Sequence, residues 1–268
     1  MILILQLQQL VFKNNIRIRL ILVHVKVRTE ARVIERNGFF PLWIGGLYPN
    51  DDKCVAYQYG PDPIQVIDCH LPKGPYVHLV VLLIHGGFWR SIINRSIEDA
   101  VANDLLRFNI VVCNLDYRSF GNQGGYPNTF YDVSNGTDLL RSIAREQGFQ
   151  SDRVIVVGHS AGGQLGGYVT GRFRLTPNQP GYSINPLRPI ALVTQAGVNN
   201  MWDGCDQADE TGSGAVISFL GENYTIFPER YILSSLAASS NNAVSKSIFT
   251  IRSTDTSNYW ISRYYSIC

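Results

Sequence analysis

A serine flanked by glycines is the residue of this chain whose surroundings most clearly suggest chemistry. Residues 158–162 read Gly-His-Ser-Ala-Gly, after the β-branched run 153–157 and before the glycine-rich segment 163–168. This order is typical of a strand, a tight turn and a helix. It predicts that Ser160 stands at a strained turn with its hydroxyl presented as a nucleophile, and that a Cβ on either flanking glycine would collide with its neighbours. The alternative is a glycine-rich strand-to-helix turn without catalytic use.

A second glycine turn could supply hydrogen-bond donors to the same reaction. The apolar run 80–84 is typical of a strand buried on both faces, and it leads directly into residues 85–89, His-Gly-Gly-Phe-Trp. Backbone N–H groups in such a turn stabilise a developing oxyanion by about 3–4 kcal/mol. The candidate donors are Gly86, Gly87, Phe88 and Ala161. The alternative is a simple turn that ends a strand.

The two motifs, in this order and each after a buried strand, resemble those of the α/β-hydrolase esterases and lipases. Within that group, residues 85–89 resemble the kynurenine formamidase-like branch and its bacterial esterase relatives. Further similar stretches are 115–118, 125–127, 212–216 and 219–221. The resemblance covers roughly residues 50–240. It implies an α/β-hydrolase fold with a doubly wound, mostly parallel sheet, and a reaction that needs side chains and water but no cofactor or metal.

The remaining pattern agrees with alternating strands and helices. Strands are predicted at 55–59, 64–68, 109–115 and 190–194, and helices at about 96–108 and 132–146. The alternation of apolar and basic residues in 16–28 indicates a half-buried strand. We predict an N-terminal extension over 1–30, a hydrolase domain over 31–240 and a divergent tail over 241–268, so that the C-terminal part of the fold is incomplete.

The sequence has no histidine at the position that a catalytic triad requires, and it has one candidate for the acid. The order in this group is serine, acid, histidine, yet all five histidines precede Ser160. Asp255, after the predicted strand 247–251, is the candidate acid, and its alternative is a surface aspartate. We expect His85 to brace its turn through hydrogen bonds rather than to act as a base. His159 is not expected to act as a base either, because its side chain should point away from the serine.

Two classes of function follow. The first is a serine hydrolase acting on carboxyl esters or small, N-formyl-like amides, with an apolar pocket lined by Trp89, Tyr126 and Trp202. Each of these aromatic residues could instead pack in the core. The second is a truncated or catalytically inactive hydrolase-fold protein with a binding role or none, because a serine without a base is a poor nucleophile.

Composition restricts the partners and the location. The formal net charge of +2 gives no reason to expect a nucleic-acid partner. The charges in residues 16–28 argue against a membrane span there. The five cysteines lack metal-ligand spacing and are interpreted as reduced thiols, which favours a cytoplasmic protein. Nothing in the sequence fixes the oligomeric state.

Overall fold

The structure is a computed structural model of the chain. It describes residues 2–12, 16–26, 53–206, 213–236 and 248–251. The chain divides into two compact units, 1–47 and 48–268. The described part of the first unit is an antiparallel hairpin of β1 (Ile2–Phe12) and β2 (Ile16–Lys26), so the strand predicted from the alternating pattern is present.

The second unit is built on a seven-stranded sheet in the order β3-β4-β6-β5-β7-β8-β9. Its strands are β3 (Lys53–Gln58), β4 (Val66–Leu71), β5 (Val80–Ile84), β6 (Val111–Leu115), β7 (Val154–His159), β8 (Ala191–Gln195) and β9 (Ile248–Ile251). Its helices are α1 (Asp99–Leu106), α2 (Asn128–Gln147), α3 (Ala161–Gly171), α4 (Met201–Asp206), α5 (Ser213–Leu220) and α6 (Pro228–Ser234).

The strand directions match the predicted fold class. Strands β3, β4 and β6 pair antiparallel, and every pairing from β6 through β5, β7 and β8 to β9 is parallel. Helix α3 packs against β7 and β8, and α1 packs against β6. The predicted doubly wound, mostly parallel sheet is therefore confirmed, and the predicted late strand is present as β9, inside the segment that we assigned to a divergent tail.

Some boundaries differ from those predicted. The first helix starts as a 3-10 turn over Arg95–Glu98 before α1 begins. Helix α2 begins at Asn128, four residues earlier than expected. Pro127 precedes it directly, where a missing N–H costs a helix nothing, and the Thr129 hydroxyl accepts a hydrogen bond from the N–H of Gly125 (2.9 Å).

The prediction that the cysteines are reduced thiols is wrong for two of them. Cys69 on β4 and Cys113 on β6 are directly opposite each other in the antiparallel pair and form a buried disulfide, while Cys54 and Cys205 are free thiols. Strand register, which the sequence spacing does not reveal, brings the two sulfurs together. The disulfide removes the argument from reduced thiols for a cytoplasmic location. Within the described ranges, no helix is long and apolar enough to cross a membrane.

The start of α3 lies in backbone contact with the ends of two strands. A Cβ added to Gly162 would lie 2.0 Å from the carbonyl oxygen of Ile84, and one added to Gly158 would lie 2.2 Å from the carbonyl oxygen of Gly162. Real Cβ atoms do not approach backbone so closely, so the collision predicted for both glycines is confirmed. At the other end of α3, a Cβ on Gly171 would meet no atom within 4 Å.

This difference gives a matched pair of substitutions within one helix. Gly162→Ala should destabilise the fold by about 1–3 kcal/mol or more, because the helix must move away from β5. Gly171→Ala should change stability by less than about 1 kcal/mol, in the stabilising direction, because alanine favours helix. Urea unfolding of both variants measures the difference, and equal midpoints would contradict the close contact.

Candidate active site

Ser160 is at the turn between β7 and α3, with φ 52° and ψ −116°. A positive φ is strained for a residue with a side chain. The turn is held by its backbone: the N–H of Ser160 donates to the carbonyl of Gln195 (2.8 Å), and the carbonyl of Ser160 accepts from the N–H of Gly163 (2.9 Å). The backbone thus has the predicted strained conformation, and the nucleophilic role of the hydroxyl stays a prediction.

The second glycine turn lies beside this serine. Strands β5 and β7 are parallel neighbours with Ile84 opposite Gly158, so the turns that follow them leave the same edge of the sheet. A Cβ added to Gly86 would lie 3.0 Å from the Cβ of Ser160 and 2.8 Å from the carbonyl oxygen of His159. Ala161 is buried at the first position of α3, where N–H groups have no partner within the helix. The predicted proximity of the two turns is therefore confirmed.

Three consecutive residues of the second turn have positive φ angles. They are Gly87 (109°), Phe88 (53°) and Trp89 (54°). Glycine accepts this conformation readily, but each of the other two costs on the order of 1–3 kcal/mol and needs support from its surroundings. The glycine is also required sterically, because a Cβ at Gly87 would lie 2.6 Å from the Cβ of Ile93.

Trp89 supplies part of that support. Its side chain is 1 % exposed and stacks on Phe219, with ring centroids 4.8 Å apart. Its indole N–H donates to the amide oxygen of Gln164 on α3 (3.1 Å), and its backbone carbonyl accepts from the N–H of Phe120 (2.7 Å). A side chain so deeply packed favours the core alternative over direct contact with a substrate.

His85 braces the turn, as expected. Its ring is buried, and Nδ1 lies 2.8 Å from the carbonyl oxygen of Gly86 and Nε2 3.0 Å from Oδ1 of Asp116. The ring stacks on Tyr117, whose hydroxyl donates to the carbonyl of His85 (2.9 Å). With both nitrogens occupied in this way, His85 is not placed to take a proton from Ser160.

Asp116, the partner of His85, also belongs to a partly buried ion-pair network that the motif analysis missed. Nη1 of Arg95 donates to Oδ2 of Asp116 (2.9 Å), and Nε of the same arginine donates to Asp68 (2.5 Å). Asp116 also accepts from the N–H of Tyr117 (3.1 Å). In the sequence, Asp116 stands out only as a member of the stretch 115–118. No sequence spacing links Arg95 to it, because the contact joins the end of β6 to the 3-10 turn.

The other predicted residues lie in different places. Tyr126 is half-buried, with the guanidinium of Arg230 4.8 Å from its ring centroid; burial raises the pKa of its hydroxyl and Arg230 lowers it, with a net rise. Trp202 is half-buried on α4, 6.1 Å from the ring of Tyr231. Asp255 lies outside the described residues, four positions after the end of β9. The pocket role of the aromatic residues stays a prediction.

His159 differs from His85 in its surroundings. The residue is exposed at the protein surface. The residues that surround its ring nevertheless shield the ring from water, and this desolvation lowers its pKa. Its Nδ1 would lie 2.9 Å from a Cβ on Gly86. Among the described residues, no group of three metal-binding side chains is present.

Glu98 is a buried carboxyl close enough to His85 and Asp99 to be affected by their charges. It is 6 % exposed, and burial raises its pKa from the usual 4.5 to about 7, while His85 lowers it and Asp99 raises it further. The folded state therefore holds this proton more tightly than the unfolded state does. The contribution of Glu98 to stability is greatest below about pH 4.5, falls as the pH rises through about 7, and is constant above that value.

The Glu98→Gln variant should remove this loss. A neutral amide needs no deprotonation, so the variant should gain up to about 3 kcal/mol relative to the native chain between about pH 5 and about pH 8. Urea unfolding at both pH values measures the change. The exposed Glu222→Gln is the control, and an equal pH response of the two variants would contradict the burial of an ionisable Glu98.

Comparisons with known sequences give a matching family model and a curated relative. The family model described as BD-FAE matches residues 67–241. A probable isoprenylcysteine alpha-carbonyl methylesterase of Arabidopsis thaliana is 32 % identical over 110 residues, which are 40 % of this chain and 22 % of that relative. The chain thus matches only about a fifth of the length of this curated relative.

Solved structures share the fold at low identity. Esterase B from Lactobacillus rhamnosis (HN001) superposes with a TM-score of 0.63 at 17 % identity, over 76 % of this chain and 66 % of that one. A truncated form of a carbohydrate esterase from gut microbiota gives a TM-score of 0.60 at 16 % identity, over 73 % and 75 %. Since the family match extends over well more than half of its residues, the chain belongs to the BD-FAE family, an α/β-hydrolase esterase family.

Proposed function

We propose that this chain is a serine hydrolase of the esterase type, acting on carboxyl esters through Ser160. The observation that carries the proposal is the strained turn at Ser160 beside the glycine turn that begins at Gly86. The family assignment supports it, and so do the relatives, one named as a methylesterase and another as a carbohydrate esterase. Small N-formyl-like amides, suggested by the kynurenine formamidase-like motif, are a narrower form of the same proposal.

The reaction would be acyl transfer in two steps. The hydroxyl oxygen of Ser160 attacks the carbonyl carbon of the ester, and the carbonyl oxygen becomes an oxyanion held by the N–H groups of Gly87, Phe88 and Ala161. The C–O bond to the alcohol then breaks, and the alcohol takes up the proton that the serine lost. Water hydrolyses the acyl-serine in the second step. No cofactor takes part in this scheme.

Two of the three aromatic residues predicted to line the substrate pocket keep that role in this proposal. Tyr126 and Trp202, both half-buried, remain candidates to contact the acyl or alcohol group. Trp89 is better assigned to the support of the second glycine turn, because its ring stacks on Phe219 and its N–H is already bonded to Gln164.

The proton acceptor decides how active the chain is by itself. Asp255 is our candidate acid, since it follows β9 closely, but each of the five histidines comes before the serine in sequence. Loss of one triad member in a serine hydrolase lowers turnover by roughly 10⁴ to 10⁶. A binding protein with an inactive hydrolase fold is therefore the second candidate, and the absence of a histidine after Ser160 is the observation in its favour.

We expect the 268-residue polypeptide to hydrolyse p-nitrophenyl acetate weakly or not at all. An oxyanion hole can polarise the ester carbonyl, but the serine must attack with its proton in place. The steady-state rate should barely change in Ser160→Ala. Addition of an in-frame, family-like segment that carries an aspartate and a histidine should raise the rate by several orders of magnitude.

The same assay can contradict the expectation. Turnover above about 1 s⁻¹ that disappears in Ser160→Ala would show that a base is already present. Failure of the extended chain to gain any activity that depends on Ser160 would instead remove the esterase proposal and favour the binding protein.

A further inference from the structure

A single buried amide connects the two turns of the candidate site. The side chain of Gln164 is 1 % exposed and lies on α3, one helical turn after Ser160. Its Oε1 accepts from the indole N–H of Trp89 (3.1 Å), the residue that follows Phe88 in the second glycine turn. The amide therefore joins the helix that begins with Ala161 to the strained turn after β5.

The orientation of this amide is fixed by its partners. The indole N–H can only donate, so it must meet the amide oxygen. The amide nitrogen donates to the carbonyl of Ser234 (2.9 Å), which can only accept. A flipped amide would lose both hydrogen bonds in a buried place, where unpaired polar groups are costly. Gln164 thus holds Trp89 in one direction and the end of α6 in the other.

The bond acts on a turn that needs support. Phe88 and Trp89 both have positive φ angles, and such a conformation persists only where packing and hydrogen bonds determine it. The stack of Trp89 on Phe219 fixes the plane of the indole ring. The hydrogen bond to Gln164 fixes the edge of the indole ring. Because the ring is attached to the turn, this bond also fixes the backbone N–H groups of Gly87 and Phe88 relative to the N–H group of Ala161.

We infer that Gln164 is a positioning residue, which sets the distance between the two halves of the oxyanion hole through its hydrogen bond to Trp89. The inference rests on the proposed function, since it concerns the site at which an ester oxyanion would be held. Gln164 itself touches no reacting atom. Its effect should appear in reactions that pass through an oxyanion and be absent from reactions at the same atom that do not.

The test avoids the missing base by using Ser160→Cys in the full chain. A thiol ionises with a pKa of about 8.5 and attacks without a neighbouring histidine. With p-nitrophenyl acetate, the thiolate forms a C–S bond to the acetyl carbon through an oxyanion, and p-nitrophenolate leaves with its electron pair. With iodoacetamide, the same thiolate displaces iodide and forms no oxyanion. Mass spectrometry of the peptide that contains the substituted position follows both reactions.

The ratio of the acetylation rate to the alkylation rate cancels the fraction of thiolate, because the same thiolate takes part in both reactions. In Ser160→Cys this ratio should exceed that of N-acetylcysteine. Adding Gln164→Met should lower the ratio by about 10- to 100-fold, the effect of misplacing catalytic groups by about an ångström. Trp89→Phe, which keeps a ring against Phe219 but lacks the N–H, should act similarly, and the double variant should be little worse than either one.

Gln65→Met is the matched control. Gln65 is also a buried glutamine with both ends of its amide bonded, to the N–H of Asp62 (2.9 Å) and to Asp132 (2.7 Å), but neither partner belongs to the two turns. Its substitution should leave the ratio unchanged. If Gln164→Met does not fold, Trp89→Phe carries the test by itself.

The outcomes separate the two proposals. A ratio in Ser160→Cys no higher than that of N-acetylcysteine means that no oxyanion hole exists, which removes the proposed function and this inference with it. A high ratio that Gln164→Met and Trp89→Phe leave unchanged overturns the inference alone. An equal fall in acetylation and alkylation, which leaves the ratio constant, also overturns it, because it reports a local loss of structure.

Discussion

The candidate site depends on backbone lying directly against backbone where β5, β7 and the start of α3 meet. Gly158 and Gly162 have no room for a Cβ, and the carbonyl oxygen of Ile84 is the atom that excludes it at Gly162. Contact at this range brings the first N–H groups of α3 to the edge of the sheet where the second glycine turn begins. Because strands β5 and β7 are paired in register, neither turn can move along the sheet without breaking that contact.

Strained backbone and buried charge both occur around this contact, and both are held by the groups that surround them. Ser160, Phe88 and Trp89 have backbone angles that free chains avoid. Trp89 is held by its stack on Phe219 and its bond to Gln164, and the backbone of Ser160 by its own hydrogen bonds, so relaxation of these turns would leave polar atoms unpaired. The ion pairs of Asp116 are an example: a buried carboxylate is tolerated when arginine, imidazole and backbone N–H surround it, and loss of one partner leaves an uncompensated charge. The turn after β5 is thus held by electrostatics on one side and by aromatic packing on the other.

The sequence allowed much of this arrangement to be predicted, because local patterns carry it. The run 80–84 is apolar throughout and became β5 with the same limits, and the glycines around Ser160 report a steric need that any fold of this kind has. What could not be predicted depends on contacts between distant segments. The disulfide of Cys69 with Cys113 needs the antiparallel register of β4 and β6, and the pairing of Arg95 with Asp116 needs the path of the chain after the glycine turn. The burial of Trp89 likewise follows from α5, which brings Phe219 against it.

The disulfide has a topological consequence for this site. With a sequence separation of 44 residues, it closes a covalent ring that contains β5, the glycine turn and α1. Ile92, 82 % exposed, lies on this ring just after the strained residues. A protease that cuts the chain there opens the ring but releases no fragment, since the sulfur bridge still joins both pieces. The two new ends would remain tethered to neighbouring strands of one sheet, so a nicked molecule would separate into fragments only after reduction.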